Sequence, residues 1–102
     1  MSFVENWLKW MMIKAWNERA WDEYLYWQRQ DKRTLKKINS LIKDIERNGY
    51  NCIGKPEPLK GKLSGWRSVE INEKDRLVFR LSKNNETGFL EVLSCKGHYQ
   101  DK

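Results

Sequence analysis

"DKRTLKKINSLIKDIERNG", residues 31–49, carries Leu35, Ile38, Leu41, Ile42 and Ile45 at offsets of three and four. That spacing predicts an amphipathic helix. Asp31 is a good N-cap for it, and the Asn48-Gly49 pair is a good stop. The opposite side carries Lys32, Arg33, Lys36, Lys37 and Lys43. A cationic face of this kind is either a solvated helix surface or a set of phosphate contacts, and both readings stand at this stage.

Upstream, Asn17 caps a predicted helix over 18–30, in which Trp21, Tyr24 and Leu25 share a face. Glu18, Asp22 and Glu23 suit the positive N-terminal end of that helix. Trp21, Tyr24 and Trp27 resemble a base-stacking box, but at helical spacing a core-facing or partner-facing stripe is the better reading. Before it, "MMIKAW" reads as a short strand with Ile13 and Ala15 on one face. The opening "MSFVENWLKWM" has near-helical apolar spacing and is expected to be an added N-terminal tail over 1–11. A single domain is expected from 12 to 102.

Downstream, residues 49–65 are rich in Gly, Pro and Lys and have no apolar period, which describes a surface loop. "WRSVEI" (66–71), "RLVFRL" (76–81) and "FLEVLSC" (89–95) follow as short alternating segments joined by "NEKD" and "SKNNETG". The order strand, helix, helix, three strands is that of an α+β domain. Two helices should pack on one face of a sheet that ends in a three-stranded antiparallel meander. Alternation sends Leu77, Phe79 and Leu81 toward the helices and Arg76, Val78 and Arg80 to an open face.

The chain has 102 residues and a formal charge of +6, from 20 Lys and Arg against 14 Asp and Glu. The length fits one modest core, and the charge favours anionic partners. Cys52 and Cys95 do not make a disulfide framework, there is no signal-peptide pattern, and no run approaches the ~20 apolar residues of a membrane span. Cytoplasmic localisation is therefore expected, with no membrane partner.

Within the loop, "IGKPEPLKGKL" places Glu57 between Pro56 and Pro58 and among Lys55, Lys60 and Lys62. The prolines hold the carboxylate on stiff, extended backbone. Taken alone it reads as an exposed ion pair worth ~0–1 kcal/mol. The alternative is a general base beside cations that bind a phosphodiester. His98, the only histidine, lies in the tail "CKGHYQDK" just after the last strand, where an imidazole suits a general acid. Glu57 as base, Arg76 as electrostatic stabiliser and His98 as acid form a set sufficient for RNA cleavage without a metal. Cys95 and His98 have a C-x-x-H spacing, but no second pair completes a zinc site, so no metal is expected. No phosphate-binding glycine loop or nucleophile elbow occurs, so no cofactor is expected.

"AWDEYLYW", "DKRTLKKINSLIKDIERN", "GKPEPLKGKLSG", "DRLVF" and the "HY" of 98–99 occur in the order and spacing of the YoeB (Txe) branch of the RelE-like toxins of bacterial toxin-antitoxin modules. The resemblance covers residues 12–99. It implies a compact fold similar to microbial ribonucleases and a ribosome-dependent mRNA endonuclease that cuts in the A site. It also implies neutralisation by an antitoxin with a flexible acidic segment, and homodimers. By position it implies Glu57 as general base, His98 as general acid, Arg76 as the transition-state arginine, Lys60 as a phosphate-binding lysine and Tyr99 as the residue that orients the site. Lys55 and Arg80 are added as RNA-binding candidates.

The chain departs from that pattern where the family commonly has W-S-R-R-I: it reads "RSVEI" at 67–71 and places Glu70 where a second arginine would stand. Arg80, on the face of Arg76, is the candidate for compensation. The alternative function that this departure raises is a catalytically weakened module that binds RNA or the ribosome under antitoxin control.

Overall fold

A computed structural model describes residues 11–97. Of the predicted tail over 1–11 only Met11 is described, as the first residue of a strand; the rest of it, His98, Tyr99 and the residues after them lie outside the described residues.

The helix read first is present as α2, Lys32–Asn48, and the one before it as α1, Glu18–Gln30. Asn17 caps α1 by accepting from the Ala20 N–H at 2.8 Å. Asp31 caps α2 through the N–H groups of Arg33 and Thr34, and its second oxygen takes the Thr34 hydroxyl at 2.7 Å. These bonds, the Thr34 hydroxyl foremost, hold the Asp31 carboxyl below its ordinary value. The helix stops at Gly49, whose φ of 60° suits a residue without a side chain.

The strands are β1 (Met11–Trp16), β2 (Glu57–Pro58), β3 (Arg67–Glu70), β4 (Arg76–Asn84) and β5 (Thr87–Ser94). They form one mixed sheet in the order β1-β5-β4-β3-β2, with β1 parallel to β5 and the other pairs antiparallel. The α+β architecture and the meander are as the sequence predicts. Two details differ. The connection "SKNNETG" is mostly strand: β4 and β5 run on to a two-residue turn at Asn85 and Glu86, with Asn85 at φ 57°. Asn tolerates that conformation, and the polar ends of the ribbon carry no apolar alternation to read. The loop over 49–65 also contains β2 and two short 3-10 turns. As an edge strand, β2 accommodates Pro58 without losing a ladder bond.

Both helices cover one face. Leu77, Phe79, Leu90, Val69, Ile38 and Ile45 are fully buried between the layers, each worth ~1.5–3 kcal/mol of apolar burial. Leu81 packs against this core from its edge, as alternation requires. The aromatic stripe of α1 divides. Trp27 is buried and donates from its indole N–H to the Cys95 carbonyl at 2.9 Å, whereas Trp21 is exposed and stacks on Tyr24. In β1 the helices take Met12 and Trp16, and Lys14 pairs with Glu46 of α2 at 2.8 Å, so Ile13 and Ala15 lie on the other side.

Candidate active site

The uncovered face of the sheet carries a row set by strand register: Glu57 opposite Ser68, Ser68 opposite Val78, and Val78 opposite Ser94. Ser68, Val78 and Ser94 are buried, so the expected open face is closed along this row. Arg76 and Arg80 flank Val78 two residues to either side on β4, each pair ~7 Å apart along the strand. The two arginines project where alternation places them, but they do different things.

Arg76 folds back over β3. Its Nε–H donates to the Ser68 hydroxyl, one Nη2–H reaches the Ser68 carbonyl at 3.4 Å, and Nη2 meets Glu57 Oε1 at 3.1 Å. The guanidinium is held from its inner side, with the Arg76 side chain 16% exposed against 71% for Glu57. The base and the transition-state arginine expected from the sequence are thus in contact. β2 makes that contact possible: Glu57 is set in place by its ladder to β3 and by the Leu59 N–H donating to the Trp66 carbonyl at 2.9 Å, as well as by its prolines.

Arg80 is engaged elsewhere. Its Nε–H and Nη2–H donate to the two carboxylate oxygens of Glu91, directly across the ladder, at 2.9 and 3.1 Å. Its guanidinium also lies 4.4 Å from the centre of the Trp66 ring. The hydrogen bonds to Arg80 hold the Glu91 carboxyl below its ordinary value, and the same bonds raise Arg80. Lys55 and Lys60 are exposed on the two sides of β2, and Lys55 takes a φ of 49° just before Pro56. Glu70 stands directly opposite Arg76 in the β3–β4 register and is exposed. Arg67 faces the helix side, its guanidinium 4.1 Å from the Tyr50 ring.

Two residues of this arrangement escape a reading by motif. Ser68 orients Arg76, and only its place in the β3 alternation points to it. Asp75, buried in the turn before β4, accepts the Gly97 N–H at 2.8 Å, while the Arg76 N–H donates to the Gly97 carbonyl at 2.9 Å. The segment that leads to His98 is therefore fastened beside Arg76. Glu23 fastens it from the helix side by accepting the Cys95 N–H at 2.7 Å. Burial pushes the Cys95 thiol up to about 12, which marks it as a core group.

A carboxylate thus touches an oriented guanidinium in an edge-strand Pro-Glu-Pro, with the segment up to Gly97 pinned alongside. The model of the YoeB-like toxins of bacterial type II toxin-antitoxin systems matches residues 16–99. The chain belongs to this family. Toxin YoeB of Escherichia coli strain K12 is 49% identical over 88 residues, 86% of this chain and all of that one. A YoeB/ParE toxin from Agrobacterium tumefaciens superposes with a TM-score of 0.81 at 42% identity, over 86% of this chain and all of that one. The Staphylococcus aureus YoeB dimer gives 0.76 at 42% identity, over 86% of this chain and 98% of that one, and a YoeB-YefM complex from Staphylococcus aureus gives 0.76 at 40% identity over the same shares. Within the YoeB-like family the present chain has the full two-helix, one-sheet layout. No helix among the described residues is long and apolar enough to cross a membrane.

Proposed function

We propose that this protein is a ribosome-dependent mRNA endonuclease that cuts mRNA in the ribosomal A site by general acid–base attack of a ribose 2′-OH. The observation that carries the proposal is the 3.1 Å contact between Glu57 and Arg76. An exposed pair of this kind is worth only ~0–1 kcal/mol, so a phosphodiester entering the face displaces the carboxylate from the guanidinium at little cost. Arg76, still held by Ser68, then stabilises charge growing on the phosphoryl oxygens. Glu57 is left beside the 2′-OH and takes its proton as O2′ attacks phosphorus. The P–O5′ bond breaks, and His98 protonates the departing oxygen, leaving a cyclic phosphate and a 5′-hydroxyl. Lys55 and Lys60 serve the flanking phosphates, Arg80 adds a contact only when it leaves Glu91, and Tyr99 orients the site. The protein acts in the cytoplasm as a single domain from 12 to 102, pairs as a homodimer and is neutralised by an antitoxin with an acidic flexible segment.

Induced expression should arrest growth and cut ribosome-bound mRNA, with Glu57→Ala or His98→Ala relieving both. Full cleavage by either variant would remove that residue from the mechanism. One observation favours a second reading: Glu70 faces Arg76 across the ladder and offers the guanidinium a competing carboxylate. A non-cleaving regulator would stall ribosomes in a toeprint without a cut in the A-site codon.

A further inference from the structure

The strand that leads to the proposed general acid ends short of it. β5 stops at Ser94, just past a register shift opposite Val78 and Phe79, and His98 follows only after Cys95, Lys96 and Gly97. A backbone that has left its sheet has no ladder to fix it, and Gly97, at φ 89°, has no side chain to restrict it. A proton donor must nevertheless stay within hydrogen-bond reach of the oxygen it serves.

Helix α1 supplies the missing support. Ala20, Glu23 and Trp27 stand at offsets of three and four on one helix face, and together they engage every polar group of Cys95. The Cys95 N–H donates to Glu23 Oε1 at 2.7 Å, the Trp27 indole N–H donates to the Cys95 carbonyl at 2.9 Å, and the thiol donates to the Ala20 carbonyl at 3.7 Å. The second Glu23 oxygen accepts from Arg19 Nε at 3.0 Å, so the carboxylate is itself oriented. The Lys96 ammonium lies 4.8 Å from the centre of the Tyr26 ring, a further α1 contact. Gly97 then passes to the other layer, its N–H to Asp75 and its carbonyl to the Arg76 N–H. Cys95, Lys96 and Gly97 are thus each held before the chain reaches His98.

We infer that Glu23 is a positioning residue for the proposed cleavage: with Trp27 it clamps the Cys95 peptide to α1 and so fixes where His98 is presented. The inference rests on the acid role proposed for His98. Packing alone does not call for a carboxylate here. With its side chain only 13% exposed, Glu23 gives up solvation that an apolar residue at the same place on α1 would not. What it gains is a charge-assisted bond directed at a single peptide N–H, and a directed bond specifies position where apolar contact does not.

The test uses the full chain and ribosomes programmed with mRNA, followed through a single turnover. Glu23→Ala should lower the rate of the cut about 10- to 100-fold, the scale of a misplacement on the order of 1 Å, with the half-saturating ribosome concentration unchanged. Glu23→Gln, which can still accept the Cys95 N–H, should retain most of the rate. In a His98→Ala background Glu23→Ala should cost nothing further, because the group it positions is gone. His98 is the only histidine, so its ring resonances report its placement directly. They should shift and broaden in Glu23→Ala and stay near the parent's in Glu23→Gln. Trp27→Phe, which removes the indole donor and keeps a ring in the core, should give the same readings as Glu23→Ala and replaces it if that variant melts early. A full loss of rate in the His98→Ala background, or His98 resonances indifferent to both Glu23→Ala and Trp27→Phe, overturns the inference. Full cleavage by His98→Ala would instead overturn the acid role, and the resonances would then decide the clamp on their own.

Discussion

Two arginine–carboxylate pairs stand on one strand face, four residues apart, and they are built in opposite ways. Arg80 and Glu91 face each other across the ladder, share two hydrogen bonds and lie against Trp66, with side chains 43% and 30% exposed. Both partners are satisfied by each other, so the pair fixes the sheet. Arg76 is fastened instead by Ser68, and Glu57 touches it with one oxygen from an edge strand while 71% exposed. There the cation is fixed and the anion is free to leave. A structural ion pair orders both members, whereas a site that must accept a phosphate orders only the member that receives it.

The largest test of that contrast exchanges the two acids for amides. Glu57→Gln should lower cleavage of ribosome-bound mRNA by ~10²–10⁴-fold, the usual contribution of a positioned base, with the thermal midpoint nearly unchanged. Glu91→Gln should do the reverse: it costs stability and, by releasing Arg80, tightens RNA binding a few-fold without lowering the rate of the cut. Equal loss of cleavage in both variants would erase the distinction between the pairs. Ser68→Ala comes next. It removes the bond that aims Arg76, and a fall in the rate of cleavage with RNA affinity retained would mark Ser68 as a positioning residue.

A smaller effect separates the pairs by pH. The folded-state carboxyl of Glu91 is held low, so its contribution to stability is complete above its ordinary value near 4.5 and is lost as pH falls through the lower folded value. After allowance for solvent screening, the pair contributes about 0.5 to 1 kcal/mol. Arg80→Gln should therefore melt a few degrees below the parent at pH 7, and the gap should close toward pH 3. A gap that persists in acid would assign the loss to packing on Trp66 rather than to charge.

The elements with a strong period were legible from the residues alone. Leu35 to Ile45 declare α2, and Leu77 and Phe79 declare both a strand and its buried face. Glu57 and Arg76 could be named, but the contact between them could not be derived, because it depends on a two-residue strand whose pairing with Ser68 is tertiary and has no local signature. The role of Asp75 is hidden for the same reason: its partner, Gly97, is 22 residues away in sequence. Arg80 was visible on the right face, but its engagement was not, because Glu91 becomes its neighbour only through the register of β4 on β5. The extended hairpin is not legible in the residues because solvent-facing polar side chains carry no hydrophobic alternation.

Glu70 sharpens the comparison further, since among the described residues it is the acid that stands opposite Arg76 across the ladder, whereas the ion pair of Arg76 is made with Glu57. On a half-exposed surface, at an effective dielectric between that of water and that of the interior, one carboxylate within reach changes anion binding at a neighbouring guanidinium by about 1 kcal/mol. Glu70→Gln should then improve cleavage by a few-fold through tighter RNA binding, and Glu70→Arg by somewhat more, with the gain shrinking as salt is raised. The gain should disappear in an Arg76→Gln background, because the carboxylate acts through that guanidinium. A salt-independent gain, or one that survives the loss of Arg76, would mean that Glu70 contacts the RNA itself.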